Sequence, residues 1–153
     1  MPVFSSIEEA KKYIYRAIQN TLINEVFWVV QAEEAEQIED VVYGLEAYSP
    51  RLYERRWDMN DLENIVGTVK GLSLSVKNIT PPSDYVSPYM GENSTPPTLN
   101  KNLSEVVEYG KGYDWYNPGP RPFTEATVEA LKRSGDHKEA LKRGLRERGI
   151  VVL

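Results

Sequence analysis

The chain has 153 residues, ten prolines, ten glycines and a net charge of −5, with no cysteine. That length supports one domain able to bury a core, and the absence of cysteine excludes a disulfide framework or a thiolate metal site. The negative balance weighs against a general nucleic-acid binder, whose phosphate affinity comes from clustered Lys and Arg.

Two overlapping Ser-x-x-Glu capping boxes, Ser5-Glu8 and Ser6-Glu9, mark a helix start. Ile7, Ala10, Ile14, Ala17, Ile18 and Leu22 then recur at three- and four-residue steps, and the pattern continues through Val26, Phe27, Val30, Ala35, Ile38, Val41, Val42 and Leu45. Neither proline nor glycine interrupts it before Gly44, so the reading is one helix of about forty residues, roughly 60 Å long, closed by Pro50. Such length without a sustained heptad predicts a kink, placed at Asn20 to Glu25, or an exposed arm.

Leu52 to Met59 and Ile65 to Ile79 read as extended. Leu72, Leu74, Val76 and Ile79 alternate with Ser73, Ser75 and Lys77, the period-two mark of a half-buried strand. Gly67 and Gly71 are turn or bulge candidates, giving an antiparallel hairpin or a three-stranded meander. From Thr80 to Asn102 the composition shifts to proline mixed with Ser, Thr, Asn and Gly, which supports neither a helix nor a central strand. The expectation is one domain over 1–153 with an extended or flexible arm at about 80–102.

Leu103 to Tyr109 reads as a short helix with Asn102 or Ser104 as cap and Gly110 as terminator. After the bend GKGYDWYNPGP, Thr124 is the expected cap of a helix to Ser134, with Phe123 stapled onto Val128. Gly135 stops it, Asp136 with Glu139 starts another ending near Gly149, and Ile150 to Leu153 is a candidate edge strand. The order predicts an α+β fold: long N-terminal helix, small antiparallel sheet, proline-rich arm, C-terminal helices and a short terminal strand.

Candidate chemistry is sparse. His137 is the sole histidine, which removes multi-histidine metal sites; on a polar helix start it reads as a surface residue. Glu33, Glu34, Glu36, Glu39 and Asp40 form an acidic stripe on the long helix, and hydrated surface charge is the commoner role of such a stripe than metal binding. Asp58, Asp61 and Glu63 fall in a turn, where Asp is favoured. Arg51, Arg55 and Arg56 form one basic cluster; that between Lys132 and Arg148 alternates with Glu139 and Glu147, as a salt-bridged helix face does. No Gly-x-x-x-x-Gly-Lys phosphate cradle occurs. Tyr109, Tyr113, Trp115, Tyr116 and Phe123, interleaved with glycine and proline, could stack bases or sugars, pack on the core, or dock on another subunit; Tyr, Trp and Arg are the types enriched at interface anchors. The expectation is no enzyme, no cofactor and no bound metal. No apolar run reaches the ~20 residues of a membrane span, and MPVFSSIEEAKK lacks the layout of a secretory signal, so no membrane partner is expected.

Three elements, taken in order, resemble the neck and tail-completion family of minor tail proteins of long-tailed phages and prophages. They are Tyr48-Ser49-Pro50-Arg51-Leu52-Tyr53-Glu54-Arg55, Val107-Glu108-Tyr109-Gly110 and Pro120-Arg121-Pro122-Phe123. The resemblance spans roughly residues 5 to 148. The stretch at 80–102 is longer than in that family, and Asp58 to Leu62 stands where a tighter leucine-containing turn is usual. The resemblance implies a virion protein made in the host bacterial cytoplasm, a subunit of a homo-oligomeric, commonly sixfold ring. Its neighbours would be head-connector and tail-tube proteins, with DNA passing through the channel without specific binding. Tyr53, Arg55, Tyr109, Trp115, Tyr116, Arg121 and Phe123 are the residues nominated for subunit contacts. Alternatives are a nucleic-acid-binding or metal-dependent nuclease domain using the bend at 109–123, and a tail-assembly chaperone absent from the finished particle.

Overall fold

A computed structural model describes residues 2–44, 58–81, 103–110 and 119–152. Much of the proline-rich stretch, residues 111–118 of the aromatic bend and the segment holding Pro50 and Leu52 to Trp57 lie outside them.

The helix start obeys its capping boxes. Ser6 is the cap and accepts from the Glu9 amide at 3.2 Å, while the Glu9 carboxylate reaches back to the Ser5 amide (2.8 Å) and hydroxyl (2.6 Å). Those bonds hold the Glu9 carboxyl below its usual range. From this cap α1 runs over Ile7–Thr21, a π-helical turn follows at Leu22–Val26, α2 spans Phe27–Ile38, and a second π-turn occupies Glu39–Tyr43. The irregularity expected near Asn20–Glu25 is therefore an inserted turn, with Phe27 N–H bonding to Leu22 O rather than to the residue four back. Helical turns end at Tyr43, earlier than Pro50, where the Gly44 amide bonds Glu39 O at 2.8 Å.

The burial row explains the inserted turn. Ala17, Leu22, Phe27 and Gln31 are buried, spaced five, five and four. A five-residue step overshoots an α-helical turn by about 140°, but a π-turn absorbs most of that. Ile7 and Ile14, expected on this row, are 76% and 42% exposed. Thr21, which the apolar pattern passed over, is fully buried, its hydroxyl donating to Ala17 O at 2.8 Å.

The hairpin consists of β1 (Ile65–Lys70) and β2 (Ser73–Asn78), antiparallel, with Ile65 opposite Asn78 and Lys70 opposite Ser73. Among the described residues the sheet has these two strands alone. Gly71 makes the turn at φ +61°, and Leu72 sits in that turn, 53% exposed, rather than in a strand. Gly67 is no bulge, for it pairs in register with Val76. Its lack of a side chain serves a different purpose: a Cβ there would overlap the Phe27 ring, so the strand lies directly on the long helix. Buried Gln31 fastens the strand start, donating to Leu62 O (2.7 Å) and Ile65 O (2.9 Å).

Three further helices complete the described fold: α3 (Leu103–Tyr109), α4 (Phe123–Ser134) and α5 (Asp136–Glu147). Gly110 and Gly135 follow α3 and α4 at positive φ, as their terminators should. Thr124 lies inside α4 and does not cap it; the Glu108 carboxylate of α3 accepts from the Thr124 amide at 3.0 Å and takes that role from another element. Val128 is 44% exposed, away from the core that Phe123 enters. Ser104 is within α3 and donates to Asn78 O at 3.2 Å. Ile150–Val152 forms no strand, so the expected terminal strand is absent there; the Ile150 amide instead bonds Leu145 O at 3.0 Å, closing α5.

One cluster, Ile38, Val42, Met59, Ile65, Val107 and Phe123, joins α2, the hairpin, α3 and α4. A second, Leu22, Val26 and Ala140, joins the first π-turn to α5, with Val69 and Leu74 of the hairpin packed against it. There α5 approaches closely: a Cβ on Gly144 would lie 2.6 Å from the Thr21 methyl. Arg148 then bonds both Glu25 (2.9 Å) and Gly144 O (2.8 Å).

Phe123→Ala should lower the unfolding free energy by about 3–5 kcal/mol in urea titrations, the usual cost of an emptied aromatic core site. Gly67→Ala should cost about 1–3 kcal/mol by overpacking against Phe27, and pairing it with Phe27→Leu should recover part of that loss.

Candidate functional site

The nominated residues separate on the structure. Tyr53, Arg55, Trp115 and Tyr116 lie outside the described residues. Phe123, 2% exposed, fills the chain's own core, so its side chain is not offered to a neighbour. Arg121, 5% exposed, is likewise turned inward; its backbone ties α3 to α4, the amide donating to Val107 O at 3.0 Å and the carbonyl accepting from the Phe123 amide at 2.8 Å. Tyr109, 63% exposed at the end of α3, is the described member of the set that presents its ring to the surface.

These residues meet at the corner where α2, α3 and α4 converge, and that corner holds a carboxyl group the sequence reading placed in water. The acidic stripe divides. Glu36, Glu39 and Asp40 are exposed, Glu33 is half-buried and accepts from Gln37 at 2.8 Å, and Glu39 accepts from Asn60 at 2.9 Å. Glu34 points inward, 6% exposed. Burial, with the nearby Glu108 carboxylate adding to it, pushes its carboxyl up from 4.5 to about 7. The available signal was position: Phe27, Gln31, Glu34 and Ile38 stand at helical spacing on one buried row, and Glu34 occupies a core position on it.

Chemically, Glu34 is a proton-holding group whose charge changes near neutrality. His137, in the first turn of α5, is half-buried rather than a fully exposed surface residue, with Nδ1 enclosed. Among the described residues no group of three or more His, Cys, Asp or Glu is placed to hold a metal, and no helix is long and apolar enough to cross a membrane.

What these observations define is an α+β protein whose long, π-interrupted helix is clamped by a hairpin on one side and short helices elsewhere. The chain belongs to the YomN family, which matches it over residues 6–147. The family bears a phage- or prophage-derived gene name, which agrees with a phage-associated protein. No curated protein and no solved structure gives a significant match.

The raised Glu34 value sets a pH dependence. Below about 4.5 the carboxyl is protonated in folded and unfolded chains alike, and burial costs nothing extra. Between about 4.5 and 7 the unfolded chain releases its proton first, so stability falls as pH rises, and the full cost is present above about 7. At about 1.4 kcal/mol per unit this amounts to at most roughly 3.5 kcal/mol. Glu34→Gln should therefore raise stability at pH 8 while changing it little at pH 4, as read by urea unfolding at both values.

Proposed function

We propose that the protein is a structural component of a phage particle, a subunit of a ring that joins the head connector to the tail tube and lets DNA pass. The observation that carries this reading is the YomN match over residues 6–147, a family with a phage-derived name. The same span holds the Tyr-x-Pro-x-x-Tyr-Glu-Arg, Val-Glu-Tyr-Gly and Pro-Arg-Pro-Phe elements that resemble neck and tail-completion proteins.

Elementary physics is in keeping with it. A wall that DNA slides past should not grip phosphate, and a subunit of net charge −5 repels it. A ring closes through a heterologous interface, which needs two different patches on each subunit. Tyr109, exposed beside the corner where α3 gives way to α4, offers an aromatic anchor for one of them. In this role the chain performs no catalysis, takes no cofactor, and resides in the virion after synthesis in the host cytoplasm.

Deleting the coding sequence from the phage or prophage should leave full heads and separate tails in electron micrographs, and a plasmid copy should restore joined particles. Mass spectrometry of purified wild-type particles should find the protein. Joined, infectious particles from the deletion would overturn the reading. Its absence from purified particles would instead identify an assembly factor that leaves.

A further inference from the structure

The outward side of the long helix carries an arrangement that the ring reading does not use. Arg16, Asn20, Asn24, Trp28, Ala32 and Glu39 are all exposed. In a straight α-helix each four-residue step overshoots a turn by about 40°, so such a row would wind away from one face. The residue inserted at Leu22–Val26 takes back roughly 100° and brings these six side chains to one side.

Trp28 is 57% exposed on this face. Its ring lies 5.3 Å from that of Phe27, which is itself seated over Gly67, so the indole is held from behind. Small and polar neighbours, Asn24 and Ala32, flank it one turn away on either side. Charge is segregated along the helix. Residues 27–43 hold five carboxylates and neither Lys nor Arg, whereas residues 11–16 hold Lys11, Lys12 and Arg16. Lys11 is engaged with Glu8 at 3.3 Å, while Lys12 and Arg16 are exposed, as are Glu36 and Glu39 at the far end.

A ridge positive at one end, negative at the other and aromatic at its centre is complementary to itself turned end for end. We propose that two copies of this chain dock antiparallel through this ridge, with Arg16 of each facing Glu39 of the other. The midpoint between these two positions falls at Phe27–Trp28, which places the two indoles at the twofold axis. Each copy contributes the same patch, an isologous contact, with buried aromatic anchors at the centre and charges at the rim. The pairing concerns the free chain and stands whether or not the chain also closes a ring.

Sedimentation equilibrium of the full-length protein at low salt should give twice the 17.5 kDa chain mass, with the dimer weakened by added salt. Trp28→Ala and Arg16→Glu should each weaken the dimer at least tenfold while circular dichroism melts stay near wild type. Combining Arg16→Glu with Glu39→Arg in one chain should restore it, because each copy then presents the exchanged pair. A monomer at every concentration tested would overturn the proposal, as would a dimer or a larger ring indifferent to all three changes. A wild-type monomer whose Trp28→Ala form fails to enter particles would overturn self-docking by assigning the ridge to another protein. The oligomeric state of the free chain does not decide whether the chain is found in purified virions, so the ring reading stands or falls separately.

Discussion

The inserted residue at Leu22–Val26 is the constraint on which the other contacts depend. An uninterrupted α-helix from Ile7 to Tyr43 could not keep Ala17, Leu22 and Phe27 on one buried side, because five-residue spacing walks round the cylinder. The π-turn lets it, at the expense of local backbone regularity. With the row in place, Phe27 reaches the hairpin at Gly67, and Leu22 and Val26 reach Ala140 on α5. Thr21 sits where Gly144 approaches, and Arg148 closes over the turn onto Glu25. Two glycines, on a strand and on a helix, thus mark where other elements come nearest the long helix.

The polar interior is arranged to fasten ends rather than to fill space. Gln31 holds the start of β1. Asn78 holds the end of β2, donating to Met59 O at 2.6 Å and accepting from the Thr80 amide and hydroxyl. Glu108 caps α4 from α3. Each is a buried or half-buried group given a partner, as interiors require. Glu34 is the exception in kind: it is kept inside mainly by losing its charge, and so it makes the packing of the α2 corner depend on pH.

Local signals were readable in the chain. The Ser5–Glu9 capping boxes, the alternation of Leu74 and Val76 with serines, and the glycines ending α3 and α4 each act within a few residues of themselves. The α+β order follows from them. Signals that depend on what lies across the core were not readable. Gly67 looked like a bulge because nothing local announces Phe27, far earlier in the chain. Thr124 looked like a cap because nothing local says that Glu108 has arrived to do that work. Glu34 was grouped with its acidic neighbours by type, although its spacing from Gln31 and Ile38 placed it with the core. Of the nominated contact residues, Phe123 and Arg121 are turned into the chain's own interior, since an aromatic or an arginine suits a buried seam as well as a docking surface. Tyr109 alone of the described three faces outward.

At the far corner, Gly110 stands so near Gly119 and Pro120 that a Cβ would overlap their backbone. Gly110 and Gly119, the described residues on either side of 111–118, therefore stand almost at one point. Closing a loop between ends already held together costs little more as it lengthens. Different lengths or sequences could be spliced there without shifting α3 against α4, which frees this stretch to diverge while the frame that carries it stays fixed.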